Sequence, residues 1–286
     1  MVTNILKAIL NIKSNSNYNL SNILVFPKNK PSAVNRANNV GQALEYFMKD
    51  GFCNTFSENN AQRKQNKYTE NFSYLGNQNN PPDIIVKNGD TIEVKKIDGI
   101  KKSDLALNSS YPKYKLYSDS SMITQACKDC EPGWKEKDII YAVGFMDGFD
   151  IKLLILIYGD CYAANPNIYK RVKEAVVNGL KSSNLEFSET NELGRVNRVD
   201  PLGITNLRIR GMWTIQNPWK VYEDVFNYNK DSKFSLIAMM RKEKFDSFPE
   251  EDKTAISKLN IFDVKIQNPD NPAQQLDTKI IRFDIQ

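Results

Sequence analysis

The fold is decided by Pro81-Pro82-Asp83-Ile84-Ile85-Val86-Lys87-Asn88-Gly89-Asp90-Thr91-Ile92-Glu93-Val94-Lys95-Lys96. Two short apolar runs flank Asn88-Gly89, which is the strongest short-range signal for a β-hairpin. Glu93 and Lys95 are two residues apart, so on a strand their side chains share one face while Val94 points to the other.

The length of the turn decides whether Asp83 joins that face. A two-residue turn places Asp83 on the opposite face. A three-residue turn of Lys87, Asn88 and Gly89, with Gly89 in the left-handed bulge position, sets Asp83 opposite Glu93. The two carboxylate Cβ atoms are then roughly 5 Å apart, and like charges so close are destabilising unless a cation lies between them. We therefore predict the three-residue turn and a divalent metal ion.

The composition restricts the possible chemistry more than it restricts the fold. The chain has 286 residues, 41% of them hydrophobic, which suits a globular core, and no clean domain boundary is visible. Its net charge of +5 permits a nucleic-acid partner without requiring one. Histidine is absent from the sequence, which excludes Ser-His-Asp and Cys-His catalysis and a histidine general base. Hydrolysis by this chain would depend on carboxylates, lysine and a metal.

The sequence shows no targeting or membrane segment. No apolar run reaches the roughly 18 residues that a membrane span needs. Met1 to Asn11 lacks the basic region and the cleavage site of a signal peptide, so we expect a cytoplasmic protein.

The cysteines leave two interpretations open. Cys127 and Cys130 have the spacing of a zinc or redox pair, but a structural zinc site usually needs a second pair or histidines. Free thiols are the simpler interpretation.

Hydrophobic periodicity predicts several further elements. We predict a short helix over Thr3–Ile12 and a second over Asn35–Asp50, and a loop over Ser57–Glu70. The second helix carries one apolar stripe: Val40, Leu44, Phe47 and Phe52. Asp138–Met146 and Ile151–Tyr158 are nearly continuous hydrophobic runs, typical of central strands buried on both faces.

The second half of the chain continues this α/β pattern. Asn165 and Pro166 are an N-cap and a first helical residue, and we expect the inward face of that helix to carry Ile168, Val172, Val176 and Leu180. We also predict a helix over Asn217–Tyr228, a strand or helix over Phe234–Met240 and a strand over Lys279–Ile285.

The pattern Asp-x9-Glu-x-Lys, with a proline before the aspartate, resembles the PD-(D/E)xK nucleases. The stretches Ser73–Asp83, Ala106–Lys113 and Asp200–Arg208 look like the NgoPII-like type II restriction endonucleases. The resemblance runs from about Asn35 to the C-terminus.

This resemblance implies an α/β PD-(D/E)xK restriction-endonuclease-like core, with a central mixed β-sheet flanked by helices. It implies a type II enzyme that cuts double-stranded DNA at a short GC-rich palindrome, of which GGCC is an example. Asp83, Glu93 and the Val94 carbonyl would hold Mg²⁺, and Lys95 would orient the attacking water. The resemblance also nominates Glu45 near the metal, with a solvated helix glutamate as the alternative.

The same resemblance guides the expectations about domains and partners. We expect one restriction-endonuclease-like domain over residues 1–286: an N-terminal helix and linker (1–34), a catalytic core (35–160), and helices with a DNA-recognition region (161–286). A palindromic site implies a two-fold homodimer. A restriction enzyme also implies a cognate DNA methyltransferase as its genetic partner.

Two polar segments are candidates for contacting DNA. The loop expected over Ile100–Ser121 follows the catalytic strand and offers Asn108, Ser109, Ser110, Tyr111, Lys113 and Lys115 to bases or phosphates. The segment Asn191–Trp213 offers Arg195, Arg198, Asn206, Arg208 and Arg210, and an arginine fork matches guanine O6 and N7. In Asn206–Arg210 the arginines alternate with Leu207 and Ile209, which predicts a strand with one apolar face. An ordinary polar loop and a solvated charged sheet remain the alternatives.

Other functions stay open from the sequence. A structure-specific or repair nuclease of the same superfamily would share the metal site. A non-catalytic DNA-binding module, or a structural protein, would need none of the acidic residues that the hairpin carries.

Overall fold

The computed structural model describes residues 3–23, 33–77, 80–99, 103–190 and 192–286. The linker predicted before residue 35 lies mostly outside these residues. The helices are α1 (Ile5–Ser14), α2 (Ala33–Cys53), α3 (Ala61–Asn71), α4 (Gln125–Lys128), α5 (Pro166–Lys181), α6 (Pro218–Val221), α7 (Glu223–Phe226), α8 (Lys242–Asp246) and α9 (Glu250–Ile256).

The strands are β1 (Phe72–Asn77), β2 (Asn80–Val86), β3 (Thr91–Asp98), β4 (Leu105–Asn108), β5 (Lys115–Tyr117), β6 (Glu136–Asp147), β7 (Asp150–Tyr158), β8 (Phe187–Ser188), β9 (Gly194–Val196), β10 (Leu207–Ile209), β11 (Trp213–Ile215), β12 (Phe234–Arg241), β13 (Asn260–Asn268) and β14 (Asn271–Ile285).

One large sheet organises the molecule. Its order is β1-β2-β3-β6-β7-β12-β14-β13, with β5 paired to β6. The β3–β6 and β7–β12 pairs are parallel, and the other pairs in this sheet are antiparallel. The predicted α/β fold with a central mixed sheet and flanking helices is therefore confirmed. The last three strands of the sheet come from the C-terminal part of the chain.

The hydrophobic runs of β6 and β7 occupy the middle of this sheet, as predicted. Their residues are almost entirely buried, and the two strands lie between β3 and β12 in the sheet. Helix α2 packs on this layer with its apolar stripe inward. A Cβ on Gly144 of β6 would lie 2.6 Å from the Leu44 side chain, so this glycine allows α2 to approach the sheet closely.

Two predicted loops contain regular structure. The polar segment before β1 folds as α3, where the Asn60 side chain caps the helix by accepting from the Arg63 N–H at 2.9 Å. Tyr68 is the buried residue of that helix, so the sequence has no apolar periodicity from which the helix could be predicted. The segment over Ile100–Ser121 contains β4 and β5, which are too short for a periodic pattern and pair with distant strands.

Helix α5 begins at Pro166 with Asn165 as its cap, as predicted, but its inward face was predicted wrongly. Ile168, Val172 and Val176 are 39 to 46% exposed. The more buried face of the helix instead carries Pro166, Tyr169 and Val177, together with Leu180, which was predicted to lie inward. Tyr169 stacks on Tyr111 at a centroid distance of 5.6 Å. The inward face of α5 is therefore offset from the predicted face by about one residue, or 100° around the helix axis.

Three smaller expectations are settled by the same structure. The helix predicted over Asn217–Tyr228 is split into α6 and α7, while Phe234–Met240 is a strand and lies within β12. The apolar face predicted for the arginine strand is not covered, because Leu207 is 54% exposed. Among the described helices, none combines the length and hydropathy needed to cross a bilayer.

Candidate active site

The hairpin of β2 and β3 has the predicted register, in which Asp83 and Glu93 lie on one face. Ile84 pairs with Ile92, so Asp83 lies opposite Glu93 one step farther from the turn. The three-residue turn is thus confirmed. It brings one carboxylate from each strand to the same face of the sheet, as the predicted binding of a cation requires.

The turn differs from the prediction in one backbone angle. Its Gly89 N–H donates to the Val86 carbonyl at 2.9 Å, which closes the turn. The residue with positive φ is Asn88, at 55°, and not Gly89. Asparagine tolerates the left-handed region better than other non-glycine residues, so it takes the position assigned to the glycine.

Asp83 is fixed by its neighbours on both sides. Its Oδ2 accepts a hydrogen bond from the Val94 N–H at 2.6 Å. The N–H and C=O of one strand residue point to the same edge, so the Val94 carbonyl also faces the side of Asp83. On the other side, a Cβ at Gly76 of β1 would lie 2.1 Å from the Pro82 carbonyl oxygen and 3.1 Å from the Asp83 Cα. Gly76 therefore allows β1 to hold the backbone that carries Asp83.

The buried Glu93 and the half-buried Lys95 form an ion pair on the same face. The Lys95 Nζ donates to Glu93 Oε1 at 2.7 Å. The other oxygen, Glu93 Oε2, is buried and has no hydrogen-bond partner among the described residues. Burial works against ionisation, yet the charges of Lys95 and Lys113 outweigh it and lower the pKa of Glu93.

Asp83 shows the opposite behaviour. Desolvation, and then the charge of Glu93, raise the pKa of Asp83 to about 8. The charge of Lys95 lowers the pKa of Asp83 but does not outweigh burial and Glu93, and Glu93 Oε2 has no partner among the described residues. Both deficits would be removed by a hard cation with oxygen ligands, so the residues present fit Mg²⁺. In the described chain no three His, Cys, Asp or Glu side chains cluster tightly enough to hold a metal alone. The ligand set would be two carboxylates, a backbone carbonyl and water.

Helix α2 delivers two more charged residues to this site. Glu45 lies beside the Leu44 contact with the sheet, and burial followed by the charge of Glu93 raises its pKa despite the nearby Lys49. Lys49, one helical turn further on, is buried, and desolvation lowers its pKa although Glu45 and Asp83 favour its charge. Glu45 is therefore close enough to Glu93 for the charge of Glu93 to affect its pKa. Sequence analysis missed Lys49, which the i, i+4 spacing from Glu45 could have suggested.

Lys113 lies in the same site and not on an exposed loop. Its backbone N–H donates to the Tyr141 hydroxyl at 2.7 Å, and Tyr141 is the register partner of Glu93 across β3 and β6. Its Nζ donates to the buried Ser110 hydroxyl at 2.7 Å. Desolvation lowers the pKa of Lys113, against the attraction of Glu93. The face that carries Glu93 therefore holds a second lysine.

The two segments expected to contact DNA lie next to one another. Strand β4 pairs with β11, and Asn108 is opposite Trp213. Tyr111 packs edge-on against Trp213 at 6.2 Å. The pairing brings the residues that follow β3 beside the residues that follow the arginine strand. Lys115 lies apart from them on β5, where its Nζ pairs with Glu136 at 2.7 Å.

The arginines of the small sheet β8-β9-β10 are exposed, and most are paired. Arg195 and Arg208 are cross-strand neighbours. The guanidinium of Arg198 pairs with Glu186, and Asn206 Oδ1 accepts from the Arg198 N–H at 3.4 Å. Arg208 and Arg210 both bond to Glu192, which sequence analysis did not single out. The structure therefore brings Arg195, Arg208 and Arg210 together on the surface.

The cysteines are free thiols. Cys127 lies in α4 and is buried in a cluster with Ile85, Leu116 and Ile123, and Cys130 is half-buried. With no ligand cluster in the described chain, the structure offers no support for the zinc interpretation.

Comparison with known proteins defines the class. The family model described as NgoPII restriction endonuclease matches residues 3–270. The chain belongs to this family, and its class is that of type II restriction endonucleases, hydrolases that cut DNA at specific sequences.

A relative is the type II restriction enzyme NgoPII of Neisseria gonorrhoeae. It is 45% identical over 285 residues, covering 98% of this chain and 99% of the relative. No solved structure matches the chain.

Proposed function

We propose that the protein hydrolyses double-stranded DNA at a short GC-rich palindrome, such as GGCC, in a reaction that depends on Mg²⁺. The observation that carries the metal dependence is the carboxylate pair at the end of the β2–β3 ladder. Asp83 has a raised pKa, and Glu93 presents a buried oxygen without a described partner. Such a pair stabilises a bound cation more than it stabilises the metal-free fold.

The roles of the residues follow from their positions. Asp83, Glu93 and the Val94 carbonyl would hold the ion, and Glu45 would bind its water shell. The bound ion would supply Lewis acidity toward the scissile phosphate and a water of lowered pKa. Lys95, held by Glu93, would orient the attacking water and offset the negative charge that develops on the phosphate. Lys113 and Lys49 would add positive potential beside that phosphate.

The binding of DNA would use the two segments joined by β4 and β11. Asn108, Ser109, Ser110 and Tyr111 would contact bases or backbone near the cut. Lys113 is buried, so it would act on the scissile phosphate within the site, and Lys115 on β5 would contact a phosphate farther away. Arg195, Arg198, Asn206, Arg208 and Arg210 would contact guanine edges or phosphates in the major groove. We retain residues 35–160 as the catalytic core and 161–286 as the part that adds recognition within one domain.

A palindromic site calls for two copies of the chain, each cutting one strand. The uncovered apolar stripe of Ile168, Val172 and Val176 on α5 supports a homodimer, because such a stripe is normally buried against a partner. We propose a cytoplasmic enzyme whose host protects its own sites with a cognate DNA methyltransferase.

The direct test is digestion of a plasmid of known sequence with Mg²⁺, followed by sequencing of the fragment ends. We expect all ends to fall within one short palindrome, and EDTA to abolish cutting. Ends scattered over the plasmid, or cutting that persists in EDTA, would contradict the proposal. A parallel digest of branched junctions distinguishes a structure-specific nuclease.

A further inference from the structure

Glu192 is a half-buried carboxylate shared by two exposed arginines. Its Oε2 accepts from Arg208 Nε at 3.1 Å and its Oε1 accepts from Arg210 Nε at 2.9 Å. The Glu192 side chain is 9% exposed, whereas those of Arg208 and Arg210 are 64% and 55% exposed. The carboxylate thus holds both guanidinium groups from beneath while their ends face solvent.

The hydrogen bonds leave the distal nitrogens available. Within the described part of the chain, Arg208 bonds through Nε alone, so both of its terminal nitrogens are unused. Arg210 adds a long contact from Nη2 to the Ser109 hydroxyl at 3.4 Å and leaves Nη1 unused. The pair of terminal nitrogens is the part of arginine that donates to guanine O6 and N7.

Glu192 is itself held in place from the catalytic side of the molecule. The Ser109 hydroxyl donates to Glu192 Oε1 at 2.8 Å, and the next residue, Ser110, accepts from Lys113 Nζ. Burial opposes ionisation of Glu192, but the Ser109 hydrogen bond and the two arginine charges outweigh it and lower its pKa. The carboxylate is therefore a fixed anion between the arginines and the segment that carries Lys113.

This arrangement is poorly explained as a stabilising surface ion pair. Pairs between solvent-exposed groups contribute little to the free energy of unfolding, because water screens them and the side chains lose freedom. A carboxylate that restrains two arginines before they meet DNA has a clearer use, since preorganised donors lose less conformational entropy on binding.

We propose that Glu192 is a positioning residue for sequence recognition, which orients Arg208 and Arg210 toward the base edges of the DNA site. This inference rests on the proposed function and assigns part of its specificity to a residue that would not itself touch the bases.

The test compares Glu192→Gln with the wild type and with Glu189→Gln. Glu189 is a carboxylate three residues away whose partner is Lys181, outside the arginine group. Specificity is measured as kcat/KM on a duplex with the wild-type site, divided by kcat/KM on duplexes altered at one base pair. For Glu192→Gln we expect this ratio to fall about 10-fold or more, the scale of one lost guanine contact. For Glu189→Gln we expect it to stay unchanged.

A double-mutant cycle with Arg208→Ala shows whether Glu192 acts through the arginine. We expect Glu192→Gln to lower the ratio much less in the Arg208→Ala background than in the wild type. Thermal unfolding of each variant reports on folding separately. Equal losses on the cognate and altered duplexes, with an unchanged ratio, would make Glu192 a merely structural residue and overturn the inference.

The result for the wild type distinguishes a failure of the proposed function from a failure of the role proposed for Glu192. Cutting at one defined sequence together with an unchanged ratio in Glu192→Gln overturns the inference alone. A wild type that cuts at no defined sequence overturns the proposed function and this inference with it.

Discussion

The hairpin of β2 and β3 and the segment from α5 to β11 differ in how far their charged residues are exposed to solvent. In the hairpin Glu93 is buried and Asp83 and Lys95 are half-buried, and the pKa of Asp83 is raised while that of Glu93 is lowered. In the second segment the arginines are exposed, and their ion pairs are open to water. Desolvation and the charge of Glu93 make Asp83 costly to ionise without a cation, which favours the binding of one. Exposure leaves the second group free to exchange its partners for DNA.

This contrast predicts a large loss of activity from a small change in the hairpin. Asp83→Asn keeps the acceptor for the Val94 N–H but removes the charge, so we expect the cleavage rate to fall at least about 100-fold while DNA binding persists. Asp98→Asn on the same strand is the control, because Asp98 is exposed and pairs only with Lys96 among the described residues. Rates come from plasmid nicking and binding from fluorescence anisotropy. An active Asp83→Asn would remove the metal assignment.

Two glycine substitutions test whether the hairpin is more tightly packed than α5. Gly76→Ala places a Cβ 2.1 Å from the Pro82 carbonyl, so we expect a loss of about 1–3 kcal/mol in the free energy of unfolding and slower cleavage. Gly179→Ala in α5 meets no atom within 4 Å, and we expect it to be neutral or to stabilise by up to about 1 kcal/mol. Urea unfolding measures both, and equal effects would show that the hairpin is no more tightly packed than α5.

The exposed stripe of α5 makes a prediction about assembly. Val172→Asp with Val176→Asp puts two charges in the proposed subunit contact, so we expect the dimer to dissociate about 10-fold or more readily. Asn178→Asp on another face of the helix is the control. Light scattering over a concentration series gives the molar mass. A wild type that is monomeric on its own DNA site would contradict the homodimer.

The smallest expected effect is a pH dependence of stability in the metal-free protein. The pKa of Asp83 is higher in the folded than in the unfolded protein, so its favourable contribution is complete below about pH 4 and is lost as the pH rises toward 8. We expect the Tm of the wild type to fall by about 5 °C relative to Asp83→Asn over that window. Added Mg²⁺ should reverse the difference at pH 8. Parallel curves for the two proteins would mean that Asp83 ionises freely.

The register of the hairpin could be predicted from the sequence because it depends on interactions between residues that are close together in the chain. A three-residue turn, alternating side chains and the repulsion of two carboxylates fix the register without knowledge of the rest of the chain. The resemblance added Glu45, whose pKa does respond to Glu93.

Residues placed by distant contacts were beyond the reach of sequence patterns. Lys113 was expected on an exposed loop, but the Tyr141 hydroxyl holds its backbone, and a Cβ at Gly159 would lie 2.4 Å from its carbonyl. The stripe of α5 was assigned inward because the periodicity of Ile168 and Val172 is genuine, while the contact of Tyr169 that orients the helix has no local signal. Glu192 was missed because its role depends on two arginines more than fifteen residues away.

The central claim is that Asp83 and Glu93 together seat a divalent ion beside DNA. The most direct measurement is the anomalous diffraction of Mn²⁺ in crystals of the wild type with its DNA site. The account predicts a peak between the Asp83 carboxylate and Glu93 Oε2, next to the Val94 carbonyl. A peak elsewhere, with these two carboxylates unliganded, would contradict it.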